Sequence, residues 1–387
     1  MTGHAYITNI GAFLPGAPVR NDEMESVLGF VAGKPSRARG PVLRSNGIQT
    51  RYYAIDPATG KATHTNAEIA AEAVRALVTD GFSLDQIDCL ACGTSLADQL
   101  MPNHGSMVHG ELAIPSCEVM STAGVCLSGI TALKYATMGV KTGEFHHAVA
   151  VASERASAVM RGKFFVNDTD VTPAEFEKRP ALAFEKDFLR WMLSDGAGAV
   201  LVQPQPAPRG LSLRIDWILE RSFANEMNAC MYAGAEKLPD GRLKSWMDYD
   251  PHEWLDHSIF AVKQDAKQLN EHIIRFTVER MLEEVKRVTG LAGADVDWFL
   301  PHYSSEYFRD KLSAAIKRVD FCIPQEKWFT NLTSKGNTGS ASIYLMMDEL
   351  FRSGKLARGQ RLLGYIPESG RFSSGFAHLT VCDASAP

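Results

Sequence analysis

Short apolar runs alternate along this chain with longer stretches of roughly 3.6-residue periodicity, the pattern of strands laid against helices. Two series of these segments match in order and spacing. "IDCLACGTSL" (87–96) and "VDWFLPHYSS" (296–305) each open on a branched apolar residue and an aspartate, Ile87-Asp88 and Val296-Asp297, and end in small polar residues. Each predicts a buried strand that runs into a loop. Asp88 stands 38 positions before Cys126, and Asp297 stands 40 before Asn337. "CLSGITALKYATMGVKTG" (126–143) and "NTGSASIYLMMDELFRSG" (337–354) both span 17 steps, begin with small residues, turn apolar and stop at a glycine. They predict two helices closed by a left-handed glycine. Strands follow in both series, first "HAVAVAS" (147–153) and "RLLGYIP" (361–367), then "DGAGAVLVQ" (195–203) and "SGFAHLTVC" (374–382).

The repetition predicts an α/β fold built from a duplicated βαβ-type unit. One half would span 1–205 and the other 206–387, with the proline-rich "QPQPAPRG" (203–210) between them. Helices that are apolar on most sides are covered on most sides, so both lie buried between sheets. Cys126 and Asn337 then fall at equivalent helix N-termini, and His302 ends a strand of the second half. The carboxyl ends of strands are where open α/β sheets carry their sites. Residues 155–190 and 221–260 break the symmetry. They are read as insertions that either roof a pocket or make ordinary surface excursions.

Composition narrows the function. The chain has 387 residues, 45% hydrophobic and 22% charged, as in ordinary globular proteins. A net charge of −5 gives no reason to expect nucleic acid as a partner. No stretch of about 18 apolar residues predicts a membrane span, and the N-terminus has no signal-peptide pattern. Seven scattered cysteines fit reduced thiols in the cytoplasm. Cys89 and Cys92 form a C-x-x-C without a second pair or histidines at ligand spacing, so no metal site is predicted. A step of three along a strand puts them on opposite faces.

Cys126 sits among small residues in "STAGVCLSG". The thiolate is the nucleophile, and a helix N-terminus lowers a thiol pKa by about one unit or less. Taken singly, Cys126 reads as a small core residue, His302 as a core histidine and Asn337 as a helix cap. The ordered set Cys126, Asp195-Gly196-Ala197-Gly198-Ala199, His302 and Gly336-Asn337-Thr338 carries more. With "YITNIGAFLPGAPVRNDEME", "LSDGAGAVLV", "WFLPHYSSEYF" and "SKGNTGSASIYLMMDELFRSGKLARGQRLLGY", it resembles the β-ketoacyl-acyl-carrier-protein synthase III family of the thiolase superfamily over most of the chain.

That resemblance implies a thiolase-like five-layered α-β-α-β-α sandwich of two duplicated halves, normally a homodimer. "MPNHGSMVHGELA" (101–113) resembles the interface helix. The resemblance implies that Cys126 takes an acyl group from a thioester. His302 and Asn337 would then hold a malonyl-type thioester through decarboxylation, and the carbanion would attack acyl-Cys126. The oxyanion hole would be made by the backbone N–H groups of Cys126 and Gly370. No cofactor is implied beyond substrates carried on coenzyme A or on the phosphopantetheine of an acyl carrier protein.

The chain departs from the family pattern in three places. No tryptophan precedes "GPVLRSNGIQTRYY", where several members stack the adenine of coenzyme A, which favours a carrier-protein donor. His302 is followed by Tyr303, Ser304 and Ser305 rather than by glutamine, alanine and asparagine. The late glycine-rich run has become Glu368-Ser369-Gly370-Arg371. These changes point to secondary metabolism, of the aryl polyene or dialkylresorcinol type. Two alternatives on the same residues are an acyltransferase that passes the acyl group from Cys126 to a hydroxyl or amine, and a condensation of two longer acyl or β-ketoacyl thioesters. A non-catalytic subunit of a heterodimer would be expected to lack one of the three site residues, and all three are present.

Overall fold

The computed structural model describes residues 3–31, 33–36, 39–165 and 186–385. Its main sheet has nine strands: β1 (Tyr6–Phe13), β2 (Cys89–Thr94), β3 (Glu118–Ala123), β4 (Ala148–Glu154), β5 (Gly196–Gln203), β6 (Ser212–Ser222), β7 (Trp298–Pro301), β8 (Arg361–Glu368) and β9 (Ser373–Cys382). They lie in the order β7-β8-β9-β6-β1-β5-β4-β2-β3. From the middle outwards, each side repeats the same scheme. In the N-terminal side β1, β5 and β4 are antiparallel neighbours, and β4, β2 and β3 are parallel. On the other side β6, β9 and β8 are antiparallel, β8 and β7 are parallel, and Trp328 extends the sheet beyond β7 by a parallel bridge to Phe299.

The two sides of the sheet are joined edge to edge, because Tyr6 and Ile7 pair with Arg214 and Leu213. The paired aspartates explain part of the likeness. Asp88 accepts hydrogen bonds from the N–H groups of His146 (2.6 Å) and His147, just before β4. Asp297 accepts from the Arg361 N–H (2.8 Å) at the start of β8. Each ties the first strand of its unit to the strand after the helix.

Three apolar clusters separate five layers. α1 (Asn66–Arg75) and α2 (His104–Leu112) pack through Ile69, Val74 and Val108 on Leu90, Cys92 and Val151. The central cluster joins Ile130 and Leu133 of α3 (Ser128–Thr142) with Ile343 and Leu350 of α7 (Ser342–Arg352), and takes Ala91 and Val200 from one half and Leu300 and Leu379 from the other. The outer cluster sets α4 (Ala266–Ile274), α5 (Met281–Thr289) and α6 (Arg309–Arg318) against Phe299, Leu363 and Phe376. Cys89 falls in the central cluster and Cys92 in the α1 cluster, on opposite faces as the spacing predicts.

The predicted helices start late. α3 begins two residues after Cys126, and α7 follows a short 3₁₀ turn (Gly339–Ala341), so Asn337 lies outside it. Both end as expected, with Gly143 at φ 82° and Gly354 at φ 71°.

The two central helices meet at Tyr344, which is fully buried. Its hydroxyl donates to the Gly129 carbonyl at 2.9 Å. A Cβ on Gly198 would lie 2.3 Å from the Tyr344 Cβ, and one on Gly129 would lie 2.5 Å from the Ser340 carbonyl oxygen. Neither approach leaves room for a methyl group. Urea unfolding should show Gly198→Ala less stable by about 1–3 kcal/mol and Tyr344→Phe by about 1 kcal/mol. An unchanged midpoint in both would mean that this contact does not hold the halves.

Candidate active site

Cys126, His302 and Asn337 come from three loops and line one cavity of about 190 Å³. Cys126 lies in the turn between β3 and α3, where Gly124 takes φ 157°. His302 directly follows β7, and its N–H donates to the Tyr365 carbonyl at 2.8 Å. Asn337 is held by its backbone, donating to the Met192 carbonyl and accepting from the Ser194 N–H, each at 2.9 Å. Its side-chain oxygen accepts from the Gly339 N–H at 3.0 Å, which leaves the amide nitrogen to donate elsewhere. The spacing therefore brings these residues together, but Asn337 is fixed by a strand-like bridge to Leu193 rather than by capping a helix.

The remaining wall is mostly apolar, with Val125, Val159, Met160, Leu189, Met192 and Met231 among its residues. Of the segment 155–190, residues 166–185 lie outside the described residues; Arg155, Ala156, Val159, Met160 and Leu189 reach the cavity. Of 221–260, Met231, Tyr232 and Ala233 do so.

Burial dominates the electrostatics. Cys126 keeps some surface toward the cavity, yet desolvation, then the carboxylates of Glu154 and Glu368, push its thiol up. This reverses the direction expected from a helix N-terminus. Desolvation lowers His302 to about 4, so its imidazole is neutral at pH 7. Asp195, the aspartate of "DGAGA", is buried and raised to about 6 by desolvation. It accepts from the N–H groups of Ala54 (2.7 Å) and Ser157 (2.8 Å) and from the Ser157 hydroxyl, and so fastens two loops rather than facing the cavity.

A model of the family described as "3-Oxoacyl-[acyl-carrier-protein (ACP)] synthase III C terminal" matches residues 286–365. Beta-ketoacyl-[acyl-carrier-protein] synthase III of Xanthomonas oryzae pv. oryzae is 25% identical over 376 residues, covering 97% of this chain and 96% of that protein. The synthase III of Chlamydia pneumoniae is 24% identical over 365 residues, covering 93% and 92%. Over residues 286–365, and at 24–25% identity across most of its length, this chain is similar to 3-oxoacyl-acyl-carrier-protein synthase III. Solved structures agree on the fold. "AbyA1 - tetronic acid condensing enzyme" superposes with a TM-score of 0.76 at 21% identity, covering 97% of this chain and 99% of that one. The 3-oxoacyl-[acyl-carrier-protein] synthase III of Aquifex aeolicus VF5 gives 0.69 at 19% identity, with coverage of 97% and 99%.

Against that family, the altered glycine-rich run has a structural consequence. The Gly370 N–H donates to the Glu368 carboxylate, which also accepts from the N–H groups of Ser373 (3.0 Å) and Arg371 (3.3 Å). A Gly370 Cβ would stand 3.1 Å from Val125, so this loop does abut the cysteine turn. The oxyanion role expected of Gly370 therefore requires that Glu368 release it. The His302-Tyr303-Ser304-Ser305 run is also accommodated. Ser304 lines the cavity, the Tyr303 hydroxyl donates to Glu306 (3.1 Å), and Ser305 accepts from the Tyr307 N–H (3.2 Å).

Sequence reasoning missed Glu154, which ends β4 and lines the same cavity. A carboxylate at the carboxyl end of a buried strand was the available signal. The raised thiol predicts that exposed Cys322 alkylates with iodoacetamide before Cys126 does. Because the thiolate forms only above the raised pKa, Cys126 labelling should keep accelerating above pH 9, as read by peptide mass mapping. A plateau below pH 8 would contradict this.

Proposed function

We propose that the protein is a condensing enzyme that loads an acyl group on Cys126 and extends it with a malonyl-type thioester. The convergence of Cys126, His302 and Asn337 on one largely apolar cavity carries this reading. In the first half-reaction Cys126 Sγ attacks the thioester carbonyl, a C–S bond forms, and the carrier thiol leaves. In the second, the malonyl-type thioester loses carbon dioxide, and the enolate oxygen is held by the neutral His302 ring and the Asn337 amide nitrogen. The resulting carbanion attacks acyl-Cys126, and the β-ketoacyl thioester departs on its carrier. Covalent capture splits one difficult exchange into two easier steps. Donors fixed where charge develops contribute on the order of 3 kcal/mol each.

The carrier is read as an acyl carrier protein, because no tryptophan precedes "GPVLRSNGIQTRYY", where several members of the resembled family stack adenine. The apolar wall of Val159, Met160, Leu189, Met192 and Met231 suits an aliphatic chain. It also favours, as a second reading, condensation of two longer acyl thioesters in secondary metabolism, as does the likeness to the tetronic acid condensing enzyme. No helix among the described residues is long and apolar enough to cross a membrane, and none of their His, Cys, Asp and Glu side chains cluster as a metal site. A homodimer is proposed through β3, the outermost strand, beside α2, where Leu100 and Met101 are exposed. Sedimentation at micromolar concentration checks it, and a monomer would count against it.

Intact-protein mass spectrometry should find an acyl group on wild-type chains and none on Cys126→Ala. His302→Ala and Asn337→Ala should still load, yet lose release of labelled carbon dioxide by roughly 10²-fold or more. Wild-type decarboxylation in both variants would replace condensation by simple acyl transfer from Cys126.

A further inference from the structure

Glu154 is a buried carboxylate with an asymmetric set of partners. Four hydrogen bonds converge on Oε1, from the N–H groups of Ser95 (3.0 Å) and Ser340 (3.1 Å) and from their hydroxyls, each at 2.6 Å. Ser95 follows β2 in one half, and Ser340 precedes α7 in the other. Gly339 crosses so close that a Cβ there would lie 2.9 Å from Oε1. Such a cradle fixes one oxygen and leaves Oε2 to bind or release a proton. Among the described residues, neighbouring Arg155 is turned away to Asp98, at 2.9 Å.

We propose that Glu154 accepts the thiol proton when Cys126 attacks its thioester. The inference rests on the loading reaction proposed above. The Sγ–H proton passes to Glu154 Oε2 as the C–S bond forms, directly or through one water. It returns to the carrier sulfur as that thiol leaves, so Glu154 ends each loading step ionised again and no further reactant is needed. His302 shares the cavity but is the weaker base. Desolvation lifts Glu154 to about 7 despite its four donors and lowers His302 to about 4, a difference of about three powers of ten in proton affinity. The other titratable groups on the cavity are Cys126, Arg155 and the phenols of Tyr232, Tyr303 and Tyr365, with Glu368 next to its Pro367 wall.

Loading of wild type and Glu154→Gln from one acyl thioester, followed by intact mass from pH 5.5 to 9.5, tests the assignment. Glutamine keeps the shape and an oxygen for the serine donors. Wild-type loading should rise through about pH 7. The glutamine variant should lose that limb and about 10²-fold or more in rate at pH 7. Its Cys126 alkylation should move to lower pH, since a neighbouring negative charge is gone; the lost loading limb is what separates a proton acceptor from a merely neighbouring charge. If Glu154→Gln does not fold, Ser95→Ala replaces it. Removing one donor should move the loading limb to higher pH, and an unmoved limb overturns the proposal. Wild-type loading and pH profile in Glu154→Gln also overturn it, while leaving Cys126 as the nucleophile. Acyl mass persisting on Cys126→Ala would instead overturn the loading reaction itself.

Discussion

The two halves of this protein depend on one close contact, the seating of Tyr344 against Gly198 and Gly129. A buried phenol donates to the first turn of α3 while its Cβ rests where no other side chain fits. Helices that approach with so little side chain between them bring their preceding loops together as well. The Cys126 turn runs into α3 and the Asn337 loop runs into α7, so backbone-to-backbone packing at the centre sets how far the thiol stands from the amide. The cavity follows from the packing of the central layer more than from any local feature of its wall.

Once enclosed, the cavity inverts ordinary acid–base order. In water a carboxylic acid is far stronger than imidazolium. Here desolvation acts on whichever form is charged, raising Glu154 and the Cys126 thiol and lowering His302. A neutral imidazole beside an amide nitrogen offers hydrogen bonds without charge, which suits an oxygen that becomes negative only during reaction. The helix-terminus effect on Cys126 is at most about 2 kcal/mol even in partly buried settings, and burial with two nearby carboxylates outweighs it.

Much of the architecture was legible because it is written twice. Matching strands, matching helix lengths and the Asp88 and Asp297 pair each predicted the other, and the C-x-x-C step placed Cys89 and Cys92 on opposite faces. The strand-to-loop positions of Cys126, His302 and Asn337 were legible for the same reason. Interactions that span the duplication were not. Nothing local in the sequence links Ser95, Glu154 and Ser340, which are drawn together only when the central helices pack. The join through Tyr6 and Ile7 was hidden because short edge pairing leaves no periodic mark. Glu368 was visible as a departure from the family pattern, but its hold on the Gly370 N–H depends on how the loop turns.

Asn337 and the stretch Met192–Ser194 are laced together by two backbone hydrogen bonds, and Leu189, Met192 and Leu193 form part of the cavity wall. Wall and hydrogen-bond donor are thus one mechanical piece. Any guest that displaced Met192 would pull on the backbone that holds Asn337. The cavity thus resembles a caliper in its build: the jaw that meets a guest is fastened to the amide beside it.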